Sequence, residues 1–152
     1  RNKLDKTLAE LIGRPAMRFS FIIFDIDDFK KFNDNYDHKA GDKVLKLFAK
    51  LVLPETNKHK SLFRWGGEEF VIICQNQSLN EAIDFANHIR QKFVKTDNSF
   101  NTPITVSAGV SEWHGSSDTP ENLFKRADTA LYQAKAAGKN CVRSNQKDGD
   151  IL

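Results

Sequence analysis

The stretch RWGGEEF, residues 64–70, decides the interpretation of the fold because two glycines separate two runs of strand-forming residues. The preceding run SLFRW and the following run FVIIC are both rich in β-branched and aromatic residues. Glycine reaches the positive φ angles of tight turns, so Gly66 and Gly67 predict a β-hairpin. Glu68 and Glu69 then lie at a sheet edge, either as solvated hairpin residues or as part of a site.

A second pair of acids lies at the end of another predicted strand, residues 19–26 (FSFIIFDI). Apolar residues alternate onto both faces of this run, which is typical of a central strand covered on both sides. Asp25 and Asp27 share one face because side chains repeat every two residues along a strand. A carboxylate at the end of a buried strand is costly unless it is paired or binds a cation. Both acids are therefore either solvated strand-end groups or cation ligands, and Asp27 suits a structural role better.

The remaining patterns predict an α+β fold. In chain order they indicate a helix at 2–13, the strand at 19–26, a polar stretch at 27–42, a helix ending at Pro54, the hairpin, a helix after the capping box Ser78–Glu81, a strand at 104–110, a helix from Thr119 to Ala137 and an edge strand at 140–143. This order is the split βαβ arrangement of ferredoxin-like folds, one sheet with packed helices. In that arrangement Asp25 approaches Glu68 and Glu69.

Composition narrows the class of protein. The chain has 152 residues, 39% of them hydrophobic, which suits one domain, expected over residues 1–145 with a polar tail at 146–152. The net charge of +3, without a Lys/Arg block, argues against nucleic-acid binding. Its apolar runs are far shorter than the ~20 residues of a membrane span, so no membrane insertion is expected. Cys74 and Cys141 lack metal-ligand spacing and indicate core residues of a reducing compartment, so a cytoplasmic domain is expected.

Converging carboxylates are hard oxygen ligands suited to Mg²⁺ or Mn²⁺, which phosphoryl-transfer enzymes use. Four segments carry a family resemblance: RWGGEEF at 64–70, FDIDDFKKFNDNYDHKAGD at 24–42, TVSAGV at 105–110 and ADTALYQAKAAGKN at 127–140. Together, and in order along nearly the whole chain, they are similar to the signature segments of GGDEF-type diguanylate cyclases. The resemblance implies a sheet like the palm of nucleotidyl cyclases and polymerases. It also implies condensation of two GTP into cyclic di-GMP with release of pyrophosphate, at the interface of a homodimer.

The resemblance assigns roles by position. Asp25, the carbonyl of Ile26, Glu68 and Glu69 match the metal-binding positions, with two Mg²⁺ or Mn²⁺ ions per half-site. Glu68 also matches the residue that activates the attacking 3′-hydroxyl, and Glu69 matches the second acid near the metals. For the nucleotide, the resemblance implies that Asn33 and Asp42 read the guanine edge, with His38 nearby. The phosphates are bound by Lys135, Lys139 and Lys30 and by the backbone amides of Phe29 and Lys31. Gly66 and Gly67 leave space for the nucleotide beside the turn.

Some positions depart from the family pattern. Asp37 stands where glycine is usual, and we expect it to adopt a special backbone angle with a modest effect. Lys139 replaces a common arginine and lacks its bidentate fork. Asn57 and Lys60 occupy the places of the Arg-x-x-Asp product-inhibition site, which is therefore expected to be absent. The family's opening segment would end at Arg1, so an upstream sensory or regulatory domain is expected in a longer protein.

Other interpretations remain open from the residues alone. Asn33 and Asp42 are also common in turns and helix caps, and Lys135 on a helix is commonly a solvated charge. A degenerate domain that binds GTP or cyclic di-GMP without catalysis is the main alternative. A cyclase that makes a mononucleotide is another. A polymerase is disfavoured because the chain has no room for template-holding domains.

Overall fold

The computed structural model describes residues 2–14, 17–100 and 102–145. The helices are α1 (Asn2–Ile12), α2 (Phe29–Asn35), α3 (His38–Val52), α4 (Leu79–Val94) and α5 (Pro120–Ala136). The strands are β1 (Phe19–Ile26), β2 (Lys60–Arg64), β3 (Glu69–Gln75), β4 (Val106–Glu112) and β5 (Val142–Ser144), and single 3₁₀ turns span Leu53–Glu55 and Gly115–Ser117. Arg1 and the predicted tail at 146–152 lie outside the described residues.

The five strands form one sheet in the order β2-β3-β1-β4-β5. The pairs within β2-β3-β1-β4 are antiparallel, and β5 pairs with β4 in parallel. The first four strands and their crossover helices form the split βαβ arrangement, so the predicted α+β, ferredoxin-like fold is confirmed. The added strand β5 lies at the far edge, as predicted for the residues after α5.

The sheet is covered on both faces, with β1 at its centre. Ile22, Phe24 and Ile26 of β1 pack in one apolar cluster with α3 and α4. Phe21 and Ile23 pack in a second cluster with α1 and α5. The two-residue period of β1 therefore sends alternate side chains into two cores, as the continuous apolar run predicted. Asp25 lies two residues after Ile23 and therefore on the same face of β1, toward α5.

Local capping signals are reproduced. Ser78 Oγ accepts from the Glu81 amide at 3.2 Å, and Glu81 Oε1 accepts from the Ser78 amide at 2.9 Å. Thr119 Oγ1 accepts from the Asn122 amide at 3.1 Å, immediately before Pro120 opens α5. These bonds satisfy amides that the first turn of a helix leaves free, so local sequence determines where α4 and α5 begin.

The polar stretch at 27–42, for which no element was predicted, is largely helical. It contains α2 and the first turn of α3, and Phe32 of α2 is buried in the core. Asp37 has φ −177° and ψ 178°, which is extended backbone that any residue adopts. The expectation of a special backbone angle at Asp37 is therefore wrong. Its side chain instead caps α3 by accepting from the Ala40 amide at 2.8 Å.

The hairpin at Gly66 and Gly67 forms as predicted, but without the positive φ angles expected of its glycines. The amide of Trp65 donates to the Glu69 carbonyl at 2.9 Å, and β2 and β3 pair on either side. Neither glycine lies in the left-handed region, so the expectation that they supply positive φ is wrong. A Cβ on Gly67 would meet nothing within 4 Å, and one on Gly66 would meet only Glu69 Oε1, at 3.5 Å. The glycines therefore keep the space beside the turn open.

The two cysteines differ in their surroundings. Cys74 is fully buried in β3, and burial raises the pKa of its thiol to about 12. Cys141 is half-buried, and its thiol donates to the Ala134 carbonyl at 3.3 Å. The prediction of a core residue is confirmed for Cys74 and wrong for Cys141. Across the described ranges, no helix combines the length and apolar character needed to cross a membrane.

Candidate active site

The acids of β1 and the hairpin meet through strand pairing. Asp25 is the register partner of Glu69 on β3, and the Ile26 amide donates to the Glu68 carbonyl at 3.4 Å. Burial raises the pKa of Glu68 and Glu69, and repulsion from Asp25 adds to this effect. Burial also raises the pKa of Asp25, which Lys135 offsets only in part. The predicted convergence of Asp25 with Glu68 and Glu69 is thus present.

Lys135 of α5 supplies the positive charge beside these acids. Its ammonium donates to Asp25 Oδ1 at 3.1 Å and to Asp27 Oδ1 at 2.8 Å. Burial by itself lowers the pKa of Lys135, but the hydrogen bond to Asp27 and the charge of both aspartates outweigh it and raise the pKa. Lys135 is therefore a fixed, paired cation rather than a solvated helix charge.

Asp27 is the residue that the sequence predictions left out of the site. Its carboxylate accepts from Lys135 and Ser107 on Oδ1, and from Thr105 and the Asn140 amide on Oδ2. Burial alone raises the pKa of Asp27, but these donors outweigh it and lower the pKa. The spacing of Asp27 from Asp25 gave a hint of its position. Its partners were not foreseeable because all four lie more than 70 positions away along the chain.

A cleft of about 510 Å³ brings the acids and lysines together. It is lined by Asp25, Ile26, Asp28, Phe29, Lys30, Lys31, Asp34, Glu68, Lys135 and Lys139. Lys139 pairs with Asp28, a residue at φ 56° that precedes α2. A second cavity, of about 470 Å³, lies between α2 and residues 102–105 but lacks Glu68, Lys135 and Lys139. Of the two, only the cleft combines Glu68 with Lys135 and Lys139.

The predicted guanine-reading residues lie on α2 and α3. Asn33 Oδ1 is buried without a hydrogen-bond partner among the described residues. A Cβ on Gly41 would lie 1.9 Å from this oxygen, so α3 accommodates the Asn33 side chain only because Gly41 has none. Asn33 and Asp42 both lie inside helices, so the turn and cap alternatives are wrong.

Asp42 and His38 stand apart from the acidic cleft. Asp42 lines a groove of about 310 Å³ with Leu45, Arg64 and Phe70, between α3 and the hairpin strands. His38 is the exposed first residue of α3. The structure therefore brings Asp25, Glu68, Lys30, Lys135 and Lys139 into one cleft, and places Asp42 in a separate groove.

The oxygen ligands fit a hard divalent cation in their chemistry. Asp25, Glu68 and Glu69 are carboxylates that repel one another, which a cation would relieve. Within the described part of the chain, however, no three His, Cys, Asp or Glu side chains form a ready-made metal cluster. The Lys135 ammonium takes the position of a counter-ion on Asp25 instead.

Comparison with known proteins places the chain in a family. Residues 1–141 match the family model for "Diguanylate cyclase, GGDEF domain". The response regulator PleD of Caulobacter vibrioides (strain NA1000 / CB15N) is 41% identical over 139 residues, which are 88% of this chain and 30% of PleD. The chain thus spans less than a third of that curated relative.

Solved structures agree with the fold. The active GGEEF domain of a diguanylate cyclase from Vibrio cholerae is 33% identical, with a TM-score of 0.80 over 95% of this chain and 92% of that one. The GGDEF domain of DgcB from Caulobacter crescentus, in complex with c-di-GMP, is 30% identical, with a TM-score of 0.82 over 93% and 85%. By sequence and by structure, this chain belongs to the GGDEF diguanylate cyclase family.

Proposed function

We propose that this chain is a diguanylate cyclase domain that condenses two GTP into cyclic di-GMP and releases pyrophosphate. The observation that carries the proposal is the β1–β3 register, which sets Asp25 opposite Glu69 with Lys135 in the same cleft. Acids beside lysines in one cleft suit a reaction in which a metal and ammonium groups neutralise phosphate charge. The family membership of the chain supports the same reaction.

The metal ligands in this proposal are Asp25, the Ile26 carbonyl, Glu68 and Glu69. Mg²⁺ or Mn²⁺, two per half-site, supplies positive charge that neutralises the phosphate oxygens. Lys135, Lys139 and Lys30 line the cleft where the triphosphate binds, together with the amides of Phe29 and Lys31. Asn33 is the residue assigned to read the guanine edge with its side-chain amide, and Asp42 is the second acceptor for the base.

Glu68 takes the proton of the attacking 3′-hydroxyl. The 3′-oxygen forms a bond to the α-phosphorus of the other GTP, and the bond from that phosphorus to the bridging oxygen breaks. Pyrophosphate leaves with the electron pair. Two such steps, one in each direction, close the cyclic product. The open space at Gly66 and Gly67 lets the nucleotide approach the hairpin.

One chain contains only half of a reaction site in this scheme, because each 3′-hydroxyl attacks a GTP held by another copy. The active species is therefore a homodimer with its two clefts facing each other. A regulatory segment elsewhere in the full-length protein would act by raising the effective concentration of paired domains.

Product identification tests the proposal. The chain at high concentration is incubated with GTP and Mg²⁺, and the products are separated by chromatography. Cyclic di-GMP with two pyrophosphates per product is the expected result. A cyclic mononucleotide would instead indicate a mononucleotide cyclase, and GTP binding without pyrophosphate release would indicate a receptor domain.

A further inference from the structure

We infer that Asp27 is a positioning residue that holds the Lys135 ammonium at the cleft lined by Asp25 and Glu68, where the phosphates are proposed to bind. Lys135 then stays in place when a cation occupies Asp25. Asp27 does not line that cleft; it borders the separate cavity between α2 and residues 102–105. It therefore acts through Lys135 rather than on substrate. The inference rests on the proposed function, because it takes Lys135 as a phosphate ligand.

The carboxylate of Asp27 is fully engaged by the protein. Oδ1 accepts from Lys135 Nζ at 2.8 Å and from Ser107 Oγ at 2.8 Å. Oδ2 accepts from Thr105 Oγ1 at 2.7 Å and from the Asn140 amide at 3.0 Å. With its side chain 3% exposed, Asp27 has no free side for a metal ion or a nucleotide. Its ion-pair partner is Lys135.

Asp25 differs from Asp27 although both pair with the same ammonium. Its side chain is 18% exposed, lines the cleft and lies opposite Glu69. A cation that binds Asp25 displaces only one of the two ion pairs of Lys135. The ammonium has three donors, which bond Asp27 Oδ1, the Asp25 carbonyl and Asp25 Oδ1. It then keeps the first two bonds and turns the donor released from Asp25 Oδ1 to the phosphates.

The same carboxylate also fixes the turn that presents Lys139. Lys139 and Asn140 both have positive φ, 67° and 47°, in the connection between α5 and β5. The Asn140 amide donates to Asp27, which anchors this turn to the end of β1. One buried carboxylate thus binds the Lys135 ammonium and anchors the turn that carries Lys139, whose own ammonium pairs with Asp28.

A double-mutant cycle on nucleotide binding tests the inference without turnover. The ligand is 3′-deoxy-GTP with Mg²⁺, which cannot react, and its affinity is measured by calorimetry for wild type, Asp27→Asn, Lys135→Met and the double variant. Loss of a charge-assisted hydrogen bond predicts about tenfold weaker binding for Lys135→Met. Asp27→Asn should weaken binding comparably, because its amide nitrogen would face two donors. The double variant should be no weaker than Lys135→Met alone.

If the two substitutions weaken nucleotide binding independently, the double variant should bind roughly a hundredfold more weakly than wild type, and the inference is then wrong. It is also wrong if Asp27→Asn binds the nucleotide like wild type. Equal binding by wild type and Lys135→Met would instead remove the premise that Lys135 binds phosphate. Glu121→Gln, on the exposed first turn of α5, is the matched control and should bind like wild type.

If Asp27→Asn does not fold, the variant Thr105→Val/Ser107→Ala replaces it in the cycle. This variant keeps the charge of Asp27 but removes one hydroxyl donor from each of its oxygens. Binding should weaken several-fold in the Lys135 background and no further in the Lys135→Met background. Unchanged binding in the Lys135 background would overturn the inference.

Discussion

Asp25 lies directly opposite Glu69 in the antiparallel pairing of β1 with β3. Like charges at facing positions of a sheet destabilise the pairing. The repulsion is offset by the Lys135 ammonium, 3.1 Å from Asp25 Oδ1. Two carboxylates that are kept together against their repulsion are the arrangement expected where a cation and a phosphate are to bind.

Glu68→Gln should lower cyclic di-GMP formation at least about a hundredfold, because the amide neither takes a proton nor binds a metal as a carboxylate does. The fold should not change, since the Ile26 amide is bound by the Glu68 carbonyl and not by its side chain. Chromatography of the products measures the effect. Glu10→Gln, on the exposed side of α1, is the control, and unchanged turnover by Glu68→Gln would refute the assignment.

Gly41→Ala should weaken discrimination between GTP and ITP, which lacks the 2-amino group of guanine. The new Cβ would lie 1.9 Å from Asn33 Oδ1, so the Asn33 side chain must move. The ratio of the KM for ITP to the KM for GTP, measured by pyrophosphate release, should fall by about tenfold. In an Asn33→Ala background the same substitution should have little further effect, and an equally large effect there would show that Gly41 acts elsewhere.

Gly109→Ala should destabilise the fold by about 3 kcal/mol, at the upper end of overpacking effects. A Cβ at this position of β4 would lie 2.0 Å from the Ala127 carbonyl and 2.4 Å from the Leu131 amide, and α5 would have to move away. Urea denaturation measures the change. Gly67→Ala is the control for stability because its Cβ meets nothing within 4 Å. Equal stability of the two variants would contradict the close approach of α5 to the sheet.

Asp118→Asn should destabilise the domain at neutral pH by about 3–5 kcal/mol, because it leaves the buried Arg126 guanidinium without its counter-ion. Burial alone raises the pKa of Asp118, but the hydrogen bonds from Arg126 and two backbone amides outweigh it and lower the pKa below the ordinary 3.8.

A lowered pKa sets the direction of the pH dependence. The contribution of Asp118 to the free energy of unfolding is complete above its ordinary pKa of 3.8. It is lost as pH falls through the lower pKa of the folded state. Urea denaturation of wild type and Asp118→Asn at pH 7, 5 and 3 should show a constant gap at the first two values and a smaller one at pH 3. A gap that widens toward acid pH would contradict the ion pair.

Turnover per chain should rise with protein concentration, because in the proposed mechanism two copies face each other to complete the site. A dilution series in pyrophosphate release, compared with size-exclusion chromatography at the same concentrations, measures this dependence. Joining two copies through an appended dimeric coiled coil should abolish it by raising the effective concentration. Constant turnover per chain in the unjoined protein at concentrations where it is monomeric would exclude the dimer mechanism.

Sequence reasoning determined the elements whose signals are local. The two-core pattern of β1, the capping box of α4 and the Thr119-Pro120 start of α5 depend on neighbouring residues, and the structure reproduces each of them. The helix α2 was missed because it has seven residues and no side-chain cap. A helix so short is not stable by propensity alone, and packing of Phe32 in the core stabilises it.

The candidate site also combines features that the sequence predicted with features that only the structure shows. The sequence by itself determined which acids converge, since strand order follows from the split βαβ pattern and brings Asp25 beside Glu68 and Glu69. Only the tertiary structure decided how Lys135 is held, because Asp27 and Lys135 are 108 positions apart and meet only when α5 packs against Gly109 of β4. Periodicity and capping act over a few residues, whereas a buried ion pair depends on how distant elements pack.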